Sequence, residues 1–381
     1  MSDRAGAKDA RDTARPDVAP GSSGGRGVDR TSSRPAAVAA ALLLALSGLA
    51  ACGGEERPRA RPAPLPSVPE PVSEPLTPQV ADREFRTYVA DEDVARASGD
   101  ERLALSWTSD GQSALTAAEF RRAAFDGDPV RRFTYGKPKL WVPKLKEDVY
   151  PQWFVASVPR TVAGKPKSTG TALMAFMRRS AETGWRLSFS TELRPKAKPP
   201  KVVVDAQGYA EPLATTDETV LIRPREVPGI QATMASEGPD SVAAKVMKKG
   251  DLTSGYYKQT RKERKKAADK KFTRQIVFVA TPYPYFSLRT EHGGGLVLYS
   301  LFRNSVTRGD VENPKIKPAI PGNVAHLLDG TVEGVEIDVT EAYQYAVTDP
   351  ARAKKGKAQP KADVVGSTGA PVKANTPKLK D

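Results

Sequence analysis

His292-Gly293-Gly294-Gly295 is the stretch whose residue types look most like chemistry. A histidine ahead of three glycines is the layout of an oxyanion loop, in which backbone amides face a developing negative charge. Such a loop serves a serine nucleophile on a Gly-x-Ser-x-Gly elbow, and none occurs beyond the first 52 residues. The glycines join an alternating stretch, Tyr285 to Thr290, to another, Leu296 to Phe302, so the spacing predicts a hairpin turn. The other histidine, His326, has no cysteine or histidine near it, and two histidines 34 positions apart match no zinc spacing. No EF-hand pattern and no Walker loop is present. Glu336 and Asp338 share a strand face opposite Val335, Ile337 and Val339. Paired carboxylates do acid–base work when their surroundings separate their pKa values, but the alternation alone predicts a solvated face. Tyr343 and Tyr345 further along read as packing. These residues predict a protein without a catalytic site, a metal or a cofactor.

The single cysteine carries a different chemistry. Leu49-Ala50-Ala51-Cys52 closes a charge-free run from Ala36 to Ala51 that follows Arg26, Arg30 and Arg34, the layout of a signal peptide. A spanning helix takes about 20 apolar residues, whereas this Ala-rich run is shorter and ends in small residues suited to a peptidase. The tetrapeptide resembles the bacterial lipobox. That resemblance implies a diacylglyceryl group on the Cys52 sulfur and cleavage between Ala51 and Cys52, with Leu49, Ala50 and Ala51 read by the peptidase. Two acyl chains make a lasting anchor where one is marginal. No twin-arginine pair precedes the run, which favours the general secretion route and the outer face of the cytoplasmic membrane.

The chain of 381 residues carries a formal net charge of +14. Such a balance attracts anionic surfaces and says nothing of fold. Arg261, Lys262, Arg264, Lys265, Lys266, Lys270 and Lys271, against Glu263 and Asp269, concentrate it. With the export signal in front, anionic wall polymer or phospholipid headgroups are the expected partners, and nucleic acid is argued against. Few aromatics interleave with the run, as single-strand binding would require.

The elements that must position these residues begin after a leader and signal peptide (1–51) and a lipidated, Pro-rich linker (52–76). Seven prolines between Glu55 and Leu76 favour an extended spacer, up to roughly 70 Å long. Thr77-Pro78 starts a helix, a second is expected near Asp100 to Trp107, and a third opens at Ser113 or Thr116 and runs to Ala124. After Gly127 the period becomes two, predicting strands at Phe133 to Val142, Tyr150 to Val158, Thr171 to Arg178 and Trp185 to Leu193. The second half repeats that order. Short strands are expected at 202–204 and 219–222, helices at Ser241 to Lys249 and Leu252 to Lys271, and strands at Gln275 to Ala280, Tyr285 to Thr290, Leu296 to Arg303 and Val332 to Val347. Residues 351–381, rich in Lys, Ala, Gly and Pro, are expected as a mostly disordered tail with at most one strand near Val364.

Helices followed by an antiparallel meander, twice over, predict an α+β class with domains at 77–195 and 201–350. Trp107 to Phe125, Trp153 to Val158, Gly184 to Phe189, and Tyr285 to Thr290 through Gly293 to Tyr299 carry a resemblance to actinobacterial secreted lipoproteins of unknown function. Their pattern is similar to the nuclear-transport-factor-2-like, or cystatin-like cone, fold. The resemblance implies architecture and transfers no activity. The expectation is therefore a lipid-anchored, extracytoplasmic binding or scaffold protein. The competing readings are a hydrolase in the cone pockets and a structural protein recruited by charge alone.

Overall fold

Thr77 opens the first helix through its hydroxyl, which accepts the Val80 amide at 3.2 Å, and Gly99 ends it in the left-handed conformation. This helix, α1 (Pro78–Ser98), is followed by α2 (Glu101–Ser106), capped by the Asp100 carboxylate on the Leu103 amide, and by α3 (Asp110–Asp126). The computed structural model describes residues 74–328, 330–354 and 356–378, all within one compact unit spanning Val68–Asp381. The stretch from Leu49 to Cys52 and the rest of the expected signal peptide lie outside the described residues.

Alternating apolar residues then build two sheets. The first contains β1 (Phe133–Tyr135), β2 (Lys139–Pro143), β3 (Gln152–Val162), β4 (Gly170–Arg178), β5 (Arg186–Glu192) and β6 (Tyr209–Ala210), in the order β5-β4-β3-β2-β6 with β1 also on β3. Its pairs are antiparallel except β2 with β6. After α4 (Val227–Glu237) and α5 (Ser254–Ala268) comes the second sheet. It holds β7 (Thr273–Ala280), β8 (Phe286–Arg289), β9 (Gly295–Arg308), β10 (Glu336–Asp349) and β11 (Asp363–Asn375), in the order β11-β10-β9-β7 with β8 on β9. All its pairs are antiparallel. The chain is α+β.

Period-two alternation sends each strand's side chains to two different cores. On β4, Ala172, Met174 and Phe176 pack with Val80, Phe85 and Tyr88 of α1. The intervening Leu173, Ala175 and Met177 join Phe286, Leu288, Leu296 and Leu298 of the second sheet. On the far side of that sheet, Val297, Tyr299, Leu301 and Tyr345 pack with Val227 and Met234 of α4 and Tyr256 of α5. The layers therefore run helix, sheet, sheet, helices, and the middle core belongs to both halves. Each fully buried large side chain contributes roughly 1.5–3 kcal/mol.

Four local expectations are corrected. The tail expected to be mostly disordered around one strand near Val364 carries that strand much further, along β10 from Asp363 at Thr348 to Asn375 at Asp338. A neighbouring ladder supplies the hydrogen bonds that a Gly, Ala and Lys composition does not advertise. The helix expected from Ser241 is only a 3-10 turn, Val242–Lys245. Helix α4 instead starts at Val227, with Pro228 in its first turn, where no amide is needed. The strands expected at 202–204 and 219–222 are single bridges, such as Val202 to Thr290 and Val220 to Ala351.

Candidate functional site

α5 is amphipathic in an unusual way. Tyr256, Thr260 and Ala267 are buried and Glu263 is half-buried, so one stripe faces the sheet. At 3.6 residues per turn, Arg261, Lys262 and Lys265 fall on the opposite face, with Arg264 and Lys266 at its flanks. The structure adds Lys258 to this face, one turn before the basic run. Arg261, Lys262, Arg264, Lys265, Lys266, Lys270 and Lys271 are all exposed, the last two in the turn after the helix. None of the seven forms an ion pair with a described residue. Arg261 lies 5.9 Å from the Tyr257 ring centroid, and the Arg264 guanidinium reaches the Ile276 carbonyl only at 3.5 Å. The basic residues are exposed, and their charges are uncommitted to any described carboxylate.

Beside this helix is a cleft of about 680 Å³, walled by α5, the second sheet and residues 318–324, with Lys266 and Lys270 among its lining residues. Its floor is charged. Arg303 is ion-paired with Glu341 directly across the β9–β10 ladder and with both Glu263 oxygens at 2.9 Å. Arg274 Nε donates to Glu263 at 3.0 Å and its Nη1 to Thr307 at 2.6 Å, while Gln259 donates to Glu263 at 2.8 Å. Burial alone raises the Glu263 carboxyl, but Arg303 and Arg274 outweigh it and hold it below its ordinary value. Two arginines and two glutamates neutralise one another here, so the floor is a fixed brace.

Sequence reasoning missed this network. The signal was a charged residue at inward-facing parity: Arg303 shares its strand face with Leu301 and Tyr299, and Glu341 shares one with Tyr345. Glu263 reads in sequence as dilution of a basic run and in space as the run's attachment to the sheet.

The remaining candidates separate. His292 and Gly293 form the turn between β8 and β9 with φ 65° and 75°, as the hairpin reading requires. A Cβ on Gly294 would lie 2.8 Å from the Asp349 carbonyl oxygen, so the second glycine is there for close backbone approach. Glu336 and Asp338 are half-buried rather than solvated, and neither lines the cleft. Arg308 pairs with Glu336, while burial and then the neighbouring Glu336 raise the Asp338 carboxyl. Tyr345 is fully buried, hydrogen-bonded to Tyr256 at 3.1 Å and stacked on Tyr343 at 5.8 Å, so both tyrosines are packing. His326 sits against α3, where burial and then Arg122 lower its pKa. Among the described residues no group of three or more His, Cys, Asp or Glu could hold a metal, and no helix is long and apolar enough to cross a membrane.

Comparison with known proteins places these elements in a wider set. Residues 72–376 match a family described as a domain of unknown function, DUF8094. A protein of Streptomyces avermitilis named an uncharacterized lipoprotein is 30% identical over 213 residues. The matched region is 53% of this chain and spans 57% of that relative's length.

Proposed function

The chain belongs to the DUF8094 family, and on that premise we propose that it is a lipid-anchored protein of the cell envelope that binds anionic material without catalysing a reaction. In this reading Cys52 carries the lipid, the general secretion route delivers the chain to the outer face of the cytoplasmic membrane, and the 52–76 spacer sets its reach. α5 then engages the phosphates of wall polymer or phospholipid headgroups. The observation that carries this is the outer face of α5, where basic residues stand exposed without ion-pair partners. Cations committed to internal pairs gain little from an external anion; free ones gain Coulomb energy and release counterions. A relative named a lipoprotein supports the anchor. The brace of Arg303, Arg274, Glu263 and Glu341 supports binding over catalysis, because its charges are spent on one another. The cone-like reading of each half is part of the same proposal, supported by the order of helices then antiparallel strands in both.

Two measurements test it. A tagged fatty acid should label the wild-type chain and not Cys52→Ser in cells; equal labelling rejects the anchor. Purified Cys52→Ser protein, free of lipid, should co-sediment with phosphatidylglycerol vesicles or isolated wall polymer at low salt and be released as NaCl rises to about 0.5 M. Changing Lys265, Lys266, Lys270 and Lys271 to Gln should abolish capture at low salt. Capture that ignores salt, or survives those substitutions, overturns the role given to α5.

A further inference from the structure

A second cavity, of about 260 Å³, is lined by residues of α3, β1 and β11 and by none of α5. We infer that it is a binding site for a small hydroxylated oxyanion, a polyol phosphate or a hydroxycarboxylate, held by Arg160 and Arg131.

Arg160 and Arg96 both line this cavity and differ in one decisive respect. Arg96, 7% exposed, is satisfied: its Nε pairs with Glu92 at 2.9 Å, and its Nη1 reaches Glu119 at 3.0 Å and the Arg131 carbonyl at 2.9 Å. The Arg160 side chain is only 15% exposed, yet both its partners among the described residues are long: a hydrogen bond to Ser190 at 3.3 Å and an ion pair with Glu192 at 3.6 Å. A guanidinium has five N–H donors in a rigid fork, and a largely buried one leaves them unspent only at a cost. A carboxylate or phosphate accepts that fork two bonds at a time.

The surroundings sharpen the ligand's chemistry. The antiparallel β1–β3 pair brings Phe133 beside Arg160, and its ring has three guanidinium groups around it: Arg160 at 4.7 Å, Arg96 at 4.8 Å and Arg131 at 5.3 Å. Three cations on one ring repel; Glu92 and Glu119 hold Arg96, Glu119 also holds Arg131, and Glu192 reaches Arg160 only at 3.6 Å, so Arg160 is the least compensated of the three. An entering anion relieves that repulsion. Two further lining residues, Gln112 and His326, have buried atoms, Oε1 and Nε2, with no hydrogen-bond partner. They are the complement of hydroxyl groups. An oxyanion at one end and hydroxyls at the other, in a volume of this size, describe the proposed class.

Calorimetric titration of the full-length chain with glycerol 3-phosphate, gluconate and glycerol, at constant ionic strength, tests the site. At least one anion should bind saturably with one site per chain, and glycerol should not bind. Arg160→Gln should weaken that binding about ten-fold or more, by loss of charge-assisted hydrogen bonds. Because Arg160 is half-buried, Arg131→Gln, at an exposed position, supplies a second reading that is less able to disturb the fold, and it should also weaken binding. No saturable binding of either anion, equal binding of glycerol, or unchanged affinity in both variants overturns the site. Neutralising the α5 lysines should leave the titration unaltered, which separates this site from the surface role of α5.

Discussion

At the end of β10, Asp349 is 1% exposed, accepts the Ile222 amide at 3.1 Å through Oδ2, and has no partner for Oδ1. Burial pushes its carboxyl up to about 7, against the opposing pull of the Ile222 amide and Arg352. The folded-state value lies above the unfolded one, so the charged form is the one folding disfavours. The associated stability is present below the ordinary carboxylate range and is lost as pH rises towards 7 and past it. Between pH 5 and pH 8 this predicts a loss of roughly 3 kcal/mol in the wild type. Asp349→Asn keeps an acceptor for Ile222 and removes the titration, so its urea-denaturation free energy should lack that slope; parallel pH profiles for the two proteins would reject the assignment. Nothing in the sequence marks Asp349, because its burial comes from a return of residues 219–222 and 351 against the strand end.

Strands β10 and β5 belong to different sheets and are stitched at Gln344. Gln344, fully buried, accepts the Ser190 amide through Oε1 at 2.8 Å, and its own carbonyl accepts the Thr191 hydroxyl at 3.0 Å. Gln344→Leu fits the apolar surroundings but leaves the Ser190 amide buried and unpaired, at a cost of about 1–3 kcal/mol. Chemical denaturation should show that loss; a variant as stable as the wild type would mean that the stitch is dispensable. Element type was legible wherever the period was clean: α1, α3, α5 and the long strands fall close to where the alternation and caps predict them. α4 was not, because a Val-Pro-Gly start reads as a loop until its buried face is known. β11 was legible near Val364 but not in its length to Asn375, because its pairing with β10 is a property of the partner strand.

The two halves are joined by more than sequence. Leu173, Ala175, Met177 and Phe189 of the first sheet share a core with Phe286, Leu288, Leu296 and Leu298 of the second, and β6, at residues 209–210, completes the first sheet from beyond position 195. Cutting the chain between them exposes that face, and each buried side chain lost from it costs roughly 1.5–3 kcal/mol. A fragment of residues 77–195 should therefore bind a hydrophobic dye and lack near-ultraviolet circular dichroism, and residues 68–381 should unfold in a single transition. A stable, dye-free fragment would show the halves to be independent.

Residue order alone determined the α+β class, the helix-then-strand order of each half, the hairpin at His292 and the exposed basic face of α5, because each is set by a local period, a cap or a turn. Tertiary structure decided which sheet faces meet, how far β11 runs along β10, that Glu263 and Arg303 form a brace, and that Arg160 is left under-paired in a cavity. Those depend on residues far apart in the chain, Arg160 and Thr368 or Arg303 and Glu263, whose proximity is created by packing.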